Sequence, residues 1–517
     1  MSHRSLEALG LALSVLAGEL ALLRWLRVAQ REHYLPGSVV RFAKRWWVAG
    51  VGNRAAFLLG AVGAVVSAWF APAAFASVIA AGAGPAGLGL RGRTSKLAWT
   101  PRLRRLALAT GALSGLVVGL PSLAGLHAAL TAAALWAMGA PLLAEAALEL
   151  TRPLEARLLA PYVERARRRL TAVAPRVVAI TGSYGKTTTK GYVAHLSGGT
   201  YSVVASPASF NNTAGLARAV NEHLASGTQV FVAEMGTYGP GEIRSMCRWA
   251  HPEIAVITSI GPVHLERMRS LEQIAEAKAE ILTEAQVAVL NIDYPLLEEL
   301  AQKIEEEGRA LWRCSSDQPR ADVKVAPEEG KLRVRAKHLR AELDALVAAG
   351  PEVEPGNVAC AVAAALALGV PSEVVAARLA SLPGAPHRRS LHRSSRGAAV
   401  IDDTYNANPS GARAALRLLA KLGAKTGKKV VVTPGIIELG PAQPRENANF
   451  AASAGEVATE MLIVGRTNAR SLAAGARAAR LTARRLRNRR AAVAWVSAHL
   501  GEGDAVLYEN DLPDHYP

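Results

Sequence analysis

The sequence predicts an α/β protein that begins with a helical, membrane-embedded region. Residues 55–90 and 106–144 contain no charged side chain, and each run exceeds the roughly 20 residues that one spanning helix needs. From about Val177 onward, short apolar segments alternate with helical stretches. This alternation is typical of parallel sheets with crossover helices. We therefore expect an N-terminal transmembrane region followed by two α/β domains, the second of them Rossmann-like.

The composition and the length of 517 residues divide the chain into four segments. We expect about five spans in the first segment: one at Leu6–Leu23, and two helical hairpins that turn near Pro72 and Pro121. The four predicted segments are a transmembrane region (1–150), a basic amphipathic linker (151–171), a central nucleotide-binding domain (172–383) and a C-terminal domain (384–517).

The charged residues give the predicted spans an orientation. Basic residues such as Arg41, Arg104 and Arg167 crowd the loops after the first, third and fifth spans, and the first two of these loops contain one acidic residue between them, Glu32. The positive-inside rule places these loops in the cytoplasm. We expect a multi-pass protein of the cell inner membrane with its later domains in the cytoplasm. Much of the net charge of +18 is then a topology signal, and we expect no nucleic-acid partner.

Two further features of the sequence predict neither a binding site nor a metal site. The basic stretch from Arg477 to Arg490 is interpreted as a solvated helix face that can rest on anionic lipid. The three cysteines lie far apart without the spacing of metal ligands, which indicates reduced thiols in a cytoplasmic domain. They are Cys247, Cys314 and Cys360.

A glycine-rich turn follows the apolar run Val177–Ile180 and ends in Gly185-Lys186-Thr187. A strand that leads through such a turn into a helix is a phosphate-binding loop, or P-loop. Its backbone N–H groups bind phosphate oxygens, Lys186 reaches the terminal phosphates, and the Thr187 hydroxyl suits Mg²⁺. The sequence therefore predicts a nucleotide triphosphate site here.

Three residues after the P-loop follow in an order that suits one site, and Glu234 stands where a Mg²⁺ ligand is expected. Glu234 ends the predicted strand Val230–Glu234, His264 follows the next strand, and Lys278 lies on the helix after that. Each has an ordinary alternative: a strand-end glutamate can cap a helix, a single histidine can be structural, and a helical lysine can be solvated. In this order after a P-loop, they fit one site better than coincidence.

Residues 172–517 resemble the Mur ligases, ATP-dependent enzymes that join amino acids to peptidoglycan precursors. Thr181 to Thr187 has the short family form Thr-Gly-x-x-Gly-Lys-Thr, and Glu234 and His264 match the family's metal ligands. Lys278 matches a lysine that is carbamylated in several branches, where the carbamate helps to hold Mg²⁺. The resemblance implies that ATP and Mg²⁺ are required and that Lys186, His264 and Lys278 are catalytic.

The segment from Ile401 to Pro409 resembles the signature of the MurF branch, which adds D-alanyl-D-alanine to the muramoyl tripeptide. By this resemblance Asp403 contacts the ATP ribose, Arg388 reaches the nucleotide, and Asn357 lies on the adenine side. The implied ATP-binding residues on the loop are Gly182, Ser183, Tyr184, Gly185, Lys186, Thr187 and Thr188. The implied substrate residues are Asn211, Asn212, Tyr405, Asn406 and Asn408.

The chain also departs from the family pattern. Cys360 replaces an asparagine expected to meet adenine, which leaves the nucleotide preference open, and the Lys-Gly-Ser segment expected near the C-terminus is absent. About 25 residues separate the last predicted span from the first strand, too few for the family's domain that binds the uridine diphosphate sugar. A lipid-linked precursor would suit a catalytic unit tethered to the bilayer.

The implied reaction has two steps. A substrate carboxylate attacks the γ-phosphate of ATP to give an acyl phosphate, and the amine of an amino acid or dipeptide then displaces phosphate to form an amide. The favoured acid is a cell-wall precursor, as in the MurF branch. Two alternatives stay open: an amide ligase of the membrane-anchored poly-γ-glutamate synthase type or with a lipid-linked substrate, and a non-catalytic membrane scaffold.

Overall fold

The computed structural model describes residues 3–92, 96–207, 210–263, 265–338, 341–348, 350, 353–383, 390–404, 407–424, 426–512 and 515–516. The chain divides into two compact units, each described below by itself. The first unit contains Met1–Leu158 with the segments Gly465–Thr467 and Leu512–Pro517. The second contains Leu159–Val464 and Asn468–Asp511.

The first unit is helical. Arg24 links two of its helices, because its guanidinium donates to the carbonyls of Ala81 (3.0 Å) and Ala83 (3.0 Å) at a helix C-terminus. Glu145 accepts hydrogen bonds from the backbone N–H groups of Val39 and Val40 at a helix N-terminus, where a carboxylate is favoured. The helices are α1 (His3–Arg31), α2 (Ser38–Val48), α3 (Val51–Val66), α4 (Ala74–Ala83), α5 (Pro101–Ser122) and α6 (Leu126–Val173), with a 3₁₀ turn at Ala71–Ala73.

The number of helices long enough to cross a membrane is smaller than the sequence predicts. Among the described residues α1, α5 and α6 qualify by length and composition, and the pair α2–α3, bent by 113°, would make a fourth span. The turn expected near Pro121 is present between α5 and α6. The hairpin expected near Pro72 is shorter than a bilayer requires, because α4 has only 10 residues. The predicted linker 151–171 lies inside α6.

The end of the chain packs within the first unit. The His515 imidazole is hydrogen bonded to the Glu32 carboxylate (Nε2 to Oε1, 3.1 Å), and the Trp46 indole N–H donates to the His515 carbonyl (2.8 Å). All three side chains are buried. The last described residues therefore belong with the N-terminal helices and not with the C-terminal domain that the sequence predicts for 384–517.

The second unit contains two sheets, and the first has nine strands in the order β2-β3-β1-β4-β5-β6-β7-β8-β9. Strands β1 to β7 are parallel, and β8 and β9 extend the sheet antiparallel. The strands are β1 (Arg176–Thr181), β2 (Val203–Ala205), β3 (Val230–Glu234), β4 (Ile254–Ile257), β5 (Val287–Asn291), β6 (Ala310–Ser315), β7 (Val323–Glu328), β8 (Lys331–His338) and β9 (Ala341–Val347).

Helices cover this sheet, so β1 is apolar on both faces and Val178 and Ile180 are fully buried. Strand β1 pairs with β3 on one side and with β4 on the other. The chain runs from β1 to β2 and β3 on the first side before it crosses to β4, which makes the carboxyl end of β1 a topological switch point. The helices are α7 (Lys186–Ser197), α8 (Thr213–His223), α9 (Glu242–Ala250), α10 (Leu265–Met268), α11 (Leu271–Ala279), α12 (Pro295–Glu306), α13 (Pro355–Ala367) and α14 (Ser372–Leu379).

The second sheet has the order β10-β11-β15-β12-β13-β14 and is parallel except for β10. Arg477–Arg490 is not one helix face as predicted, because it contains the exposed edge strand β14. The elements are β10 (Ser390–Arg393), β11 (Ala399–Asp403), α15 (Pro409–Lys421), β12 (Lys429–Thr433), α16 (Gln443–Ala454), β13 (Glu460–Val464), α17 (Ala469–Ala478), β14 (Thr482–Leu486), α18 (Arg489–His499) and β15 (Ala505–Glu509).

Candidate active site

The glycine-rich loop lies between the end of β1 and the start of α7. Gly182 has φ +154° and Gly185 has φ +79°, both in the range that favours glycine. A Cβ at Gly182 would lie 2.0 Å from Thr258 Oγ1, and one at Gly185 would lie 2.1 Å from Asn357 Oδ1. No side chain caps the N-terminus of α7. The loop therefore presents open backbone N–H groups at a helix N-terminus, which suits phosphate.

The segment that follows β4 holds the loop in this shape. Thr258 Oγ1 donates to the Tyr184 carbonyl (2.5 Å), and the Tyr184 N–H donates to Ser259 Oγ (2.7 Å). Ser183 Oγ accepts from the Gly261 N–H (2.9 Å) and donates to the Gly261 carbonyl (3.1 Å). The predicted metal ligand His264 follows this segment but lies outside the described residues.

Two lysines converge on one carbonyl of the loop. Lys186 Nζ donates to the Gly182 carbonyl at 2.7 Å, and Lys278 Nζ, on α11, donates to the same oxygen at 3.0 Å. Lys278 is 2% exposed. Burial, and then repulsion from Lys186, hold the pKa of the Lys278 amine well below its usual value. The structure thus places both predicted catalytic lysines at the loop.

Glu234 lies beside the loop because β3 pairs with β1 in a register that sets Glu234 opposite Ile180. The carboxylate is buried and 1% exposed. Its Oε2 accepts from Lys190 Nζ at 3.0 Å, and its Oε1 accepts from Asn211 Nδ2 at 3.1 Å. Asn211, predicted to face substrate, therefore contacts the predicted metal ligand.

The remaining loop residues lie in the first turn of α7. Thr187 and Thr188 follow Lys186 there and are half-buried. Among the described residues, no group of three or more histidines, cysteines, aspartates or glutamates could by itself hold a metal ion. Glu234 and Thr187 are oxygen donors of the type that Mg²⁺ prefers, and in nucleotide sites phosphate oxygens supply further ligands. The residues present fit such a site.

The predicted adenine-side segment lies at the start of α13. Asn357 lies on α13 with its amide against Gly185, so it supports the loop. Cys360 is fully buried in the core of this domain, in the same cluster as Cys314. The cysteine therefore faces the core, and the two thiols that the sequence separates widely are neighbours.

Two of the predicted substrate residues cap helices. Asn212 Oδ1 accepts from the Gly215 N–H at 2.9 Å at the start of α8. Asn408 Oδ1 accepts from the Gly411 N–H at 2.8 Å at the start of α15. Both are ordinary N-caps, which is the structural alternative to a substrate role.

In the second sheet, Asp403 ends β11 and is 9% exposed. Its carbonyl accepts from the Asn510 N–H at 3.0 Å. The other predicted residues of this region lie outside the described residues: Arg388, Tyr405 and Asn406.

A loop between β12 and α16, residues 434–440, contacts the nucleotide-binding half of the second unit. The Leu265 N–H, at the start of α10, donates to the Glu438 carbonyl at 3.1 Å. Buried amides fix the loop: Asn447 binds both backbone groups of Ile436, and Asn468 donates to the Pro434 carbonyl. The two sheets of this unit therefore approach each other directly after residue 264.

Further polar residues, which were not predicted from the sequence, lie at the same sheet edge. Lys190 lies one turn after Lys186 and binds Glu234. Asn291 ends β5 and donates to the Thr258 carbonyl at 3.0 Å, while Asp293 accepts from Ser316 Oγ at 2.7 Å. Asn291 and Asp293 could have been predicted from the sequence, because polar residues that directly follow a buried strand lie at the carboxyl edge of a parallel sheet.

Comparisons with known proteins match most of the second unit. Residues 180–365 match the Mur ligase middle domain, and residues 387–508 match the Mur ligase, glutamate ligase domain. The UDP-N-acetylmuramoyl-tripeptide–D-alanyl-D-alanine ligase of Bacillus subtilis is 33% identical over 268 residues, which cover 51% of this chain and 57% of that protein. The Mycobacterium leprae ligase of the same name is 34% identical over 260 residues, covering 47% and 50%. The chain spans about half the length of these relatives.

Solved structures agree with this match. MurF from Acinetobacter baumannii aligns with a TM-score of 0.59 at 25% identity, covering 68% of this chain and 77% of that one. MurF from Thermotoga maritima in complex with ADP aligns with a TM-score of 0.58 at 23% identity, covering 68% and 80%. The second likeness is one of fold alone.

Proposed function

Because this chain belongs to the Mur ligase family, we propose that it is an ATP-dependent ligase that joins a carboxylic acid to an amine. One observation carries the proposal: the glycine-rich loop, Lys186 and the buried carboxylate of Glu234 meet at the carboxyl edge of one parallel sheet. Ligands of open α/β sheets bind at this edge. A phosphate-binding loop alone would leave the enzyme class open, and the family match narrows it.

The reaction follows from the groups at the loop. The backbone N–H groups at the start of α7 bind the triphosphate, and Lys186 leaves the Gly182 carbonyl to reach the terminal phosphate. A carboxylate oxygen of the acid attacks the γ-phosphorus, the bond to ADP breaks, and an acyl phosphate forms. The amine nitrogen then attacks the acyl carbon, and inorganic phosphate and a proton leave. Catalysis is mostly positioning and neutralisation of phosphate charge.

Thr187 and Glu234 are the described residues that would hold Mg²⁺, together with His264. When bound, the ion would neutralise charge on the phosphate oxygens. A carbamate on Lys278 would turn a buried cation into an anion and a further oxygen donor. Asp403 would contact the ribose, and Arg388 would reach the nucleotide from the C-terminal domain.

We propose that the acid is a muramoyl peptide and the amine D-alanyl-D-alanine. The names of the Bacillus subtilis and Mycobacterium leprae relatives support this pair. The helices α1, α5 and α6 support a location in the inner membrane, with the ligase domains in the cytoplasm. These helices also favour a second candidate acid, the same peptide in a lipid-linked form.

Phosphate release by the full chain in detergent tests the proposal. With ATP, the UDP-muramoyl tripeptide and D-alanyl-D-alanine, we expect phosphate and an amide product identified by its mass. Lys186→Ala should abolish both products, while Lys303→Ala, an exposed lysine on α12, should leave them unchanged. Normal turnover in Lys186→Ala would reject the loop assignment.

The same assay separates the alternatives. A lipid-linked acid would be consumed in place of the nucleotide-linked one, and a ligase of the poly-γ-glutamate type would give glutamyl products. A non-catalytic scaffold would release no phosphate with any of these acids.

A further inference from the structure

The Glu234 carboxylate forms an ion pair with a lysine of the same chain. Lys190 Nζ lies 3.0 Å from Glu234 Oε2, and the two side chains are 7% and 2% exposed. Asn211 Nδ2 binds the other carboxylate oxygen at 3.1 Å, and the Glu234 N–H donates to Ser206 Oγ at 3.1 Å. The carboxylate is therefore fixed in position and charge-compensated without any bound ion.

The two lysines of α7 have separate tasks. Lys186 folds back onto the Gly182 carbonyl, whereas Lys190, one turn later, reaches across to the end of β3. Residues four apart lie on the same face of a helix, so both cations face the nucleotide edge of the sheet. The carboxylate of Glu234 is paired with the second of these lysines. This balance disfavours a free divalent cation but favours a triphosphate that brings its own metal.

We propose that Lys190 is a positioning residue that occupies Glu234 in the nucleotide-free protein and so prevents Mg²⁺ from binding before ATP. The metal then enters with the triphosphate. The negative charge of the phosphates attracts the ion, so no carboxylate without a counter-ion is required. The inference rests on the proposed function, because it assigns Glu234 to the metal.

Binding of Mn²⁺, a spectroscopic substitute for Mg²⁺, tests this without any turnover. We measure free Mn²⁺ by electron paramagnetic resonance with the full chain in detergent and no nucleotide. Lys190→Met leaves Glu234 without its counter-ion and should bind Mn²⁺ at least about tenfold more tightly than the wild type, as expected when one opposing charge within 4–6 Å is removed. Lys190→Arg keeps the charge and should restore weak binding.

Two controls separate this effect from a general change of charge. Arg176→Met removes an arginine that pairs with Glu253 (2.5 Å) at the other end of β1, and it should leave Mn²⁺ binding as in the wild type. The double variant Lys190→Met, Glu234→Gln removes both charges and should lose the tight binding. Tight binding that survives in the double variant would place the metal elsewhere and overturn the proposal.

The wild type alone also decides the matter if Lys190→Met does not fold. Mn²⁺ should bind at least about tenfold more tightly with a non-hydrolysable ATP analogue than without it. Equal affinity in both states, or a folded Lys190→Met that binds no more tightly than the wild type, would refute the proposal. Absence of phosphate release with every acid would instead contradict the proposed ligase function and leave the Mn²⁺ result standing.

Discussion

Gly185 and Asn357 should behave as a coupled pair in the nucleotide loop. Gly185 has φ +79°, and a Cβ there would lie 2.1 Å from Asn357 Oδ1, well inside van der Waals contact. Alanine at this position has a left-handed backbone, which costs about 1–2 kcal/mol. The displaced amide adds about 1–3 kcal/mol of overpacking. We therefore expect Gly185→Ala to destabilise the nucleotide-binding domain by about 2–5 kcal/mol.

Thermal unfolding of the full chain measures this. For a domain of 150–250 residues, each kcal/mol lowers Tm by about 2–4 °C, so Gly185→Ala should lower the transition of this domain by roughly 4–20 °C. Asn357→Ala removes the amide that the new Cβ would contact. In that background Gly185→Ala should lower Tm only by the cost of the left-handed backbone, roughly 2–8 °C. If Gly185→Ala costs the same in both backgrounds, the amide does not pack against the loop and the reasoning is refuted.

Two further predictions concern residues that the structure places at or near the site. Lys278→Ala should lower phosphate release by roughly 100-fold. Wild-type protein prepared in ¹³C-bicarbonate should show a carbamate carbon resonance in its NMR spectrum, and Lys278→Arg should lack it. A wild-type spectrum without this resonance would contradict carbamylation. Asn408→Ala should remove the cap of α15 and lower the free energy of unfolding by about 0.5–2 kcal/mol. Asn408→Asp should retain the cap. Loss of phosphate release in Asn408→Asp at unchanged Tm would show that Asn408 also binds substrate.

The nucleotide loop could be predicted because its features are local. An apolar strand, two glycines and a lysine adjoin in the sequence, and backbone geometry forces their arrangement. Glu234 could be predicted for a related reason, since a residue that ends a parallel strand lies at the carboxyl edge of its sheet. The pairing of Lys190 with Glu234 could not be predicted. Helical spacing shows on which face of the helix a lysine lies, but not which strand packs against that face.

Other misses have equally specific causes. An apolar run of residues does not reveal where a helix ends, so the short α4 was counted as a span. Asn408 precedes a proline at the first helical position, a common start of a helix, so its capping role could also be predicted, and its substrate role stays a prediction. The neighbouring thiols of Cys314 and Cys360 lie on β6 and α13, and only the packing of that helix on the sheet brings them together.

The loop at residues 434–440 has a consequence for chemical ageing. The Asn447 side chain accepts from the Ile436 N–H and donates to the Ile436 carbonyl, each at 2.8 Å. A carboxylate in its place could accept but not donate, so spontaneous loss of ammonia from this one amide would unfasten the loop and bring two oxygens into repulsion. Because Asn447 is fully buried within α16, folding protects this amide, and deamidation while the protein is unfolded at high temperature should prevent the loop from being fastened again on refolding.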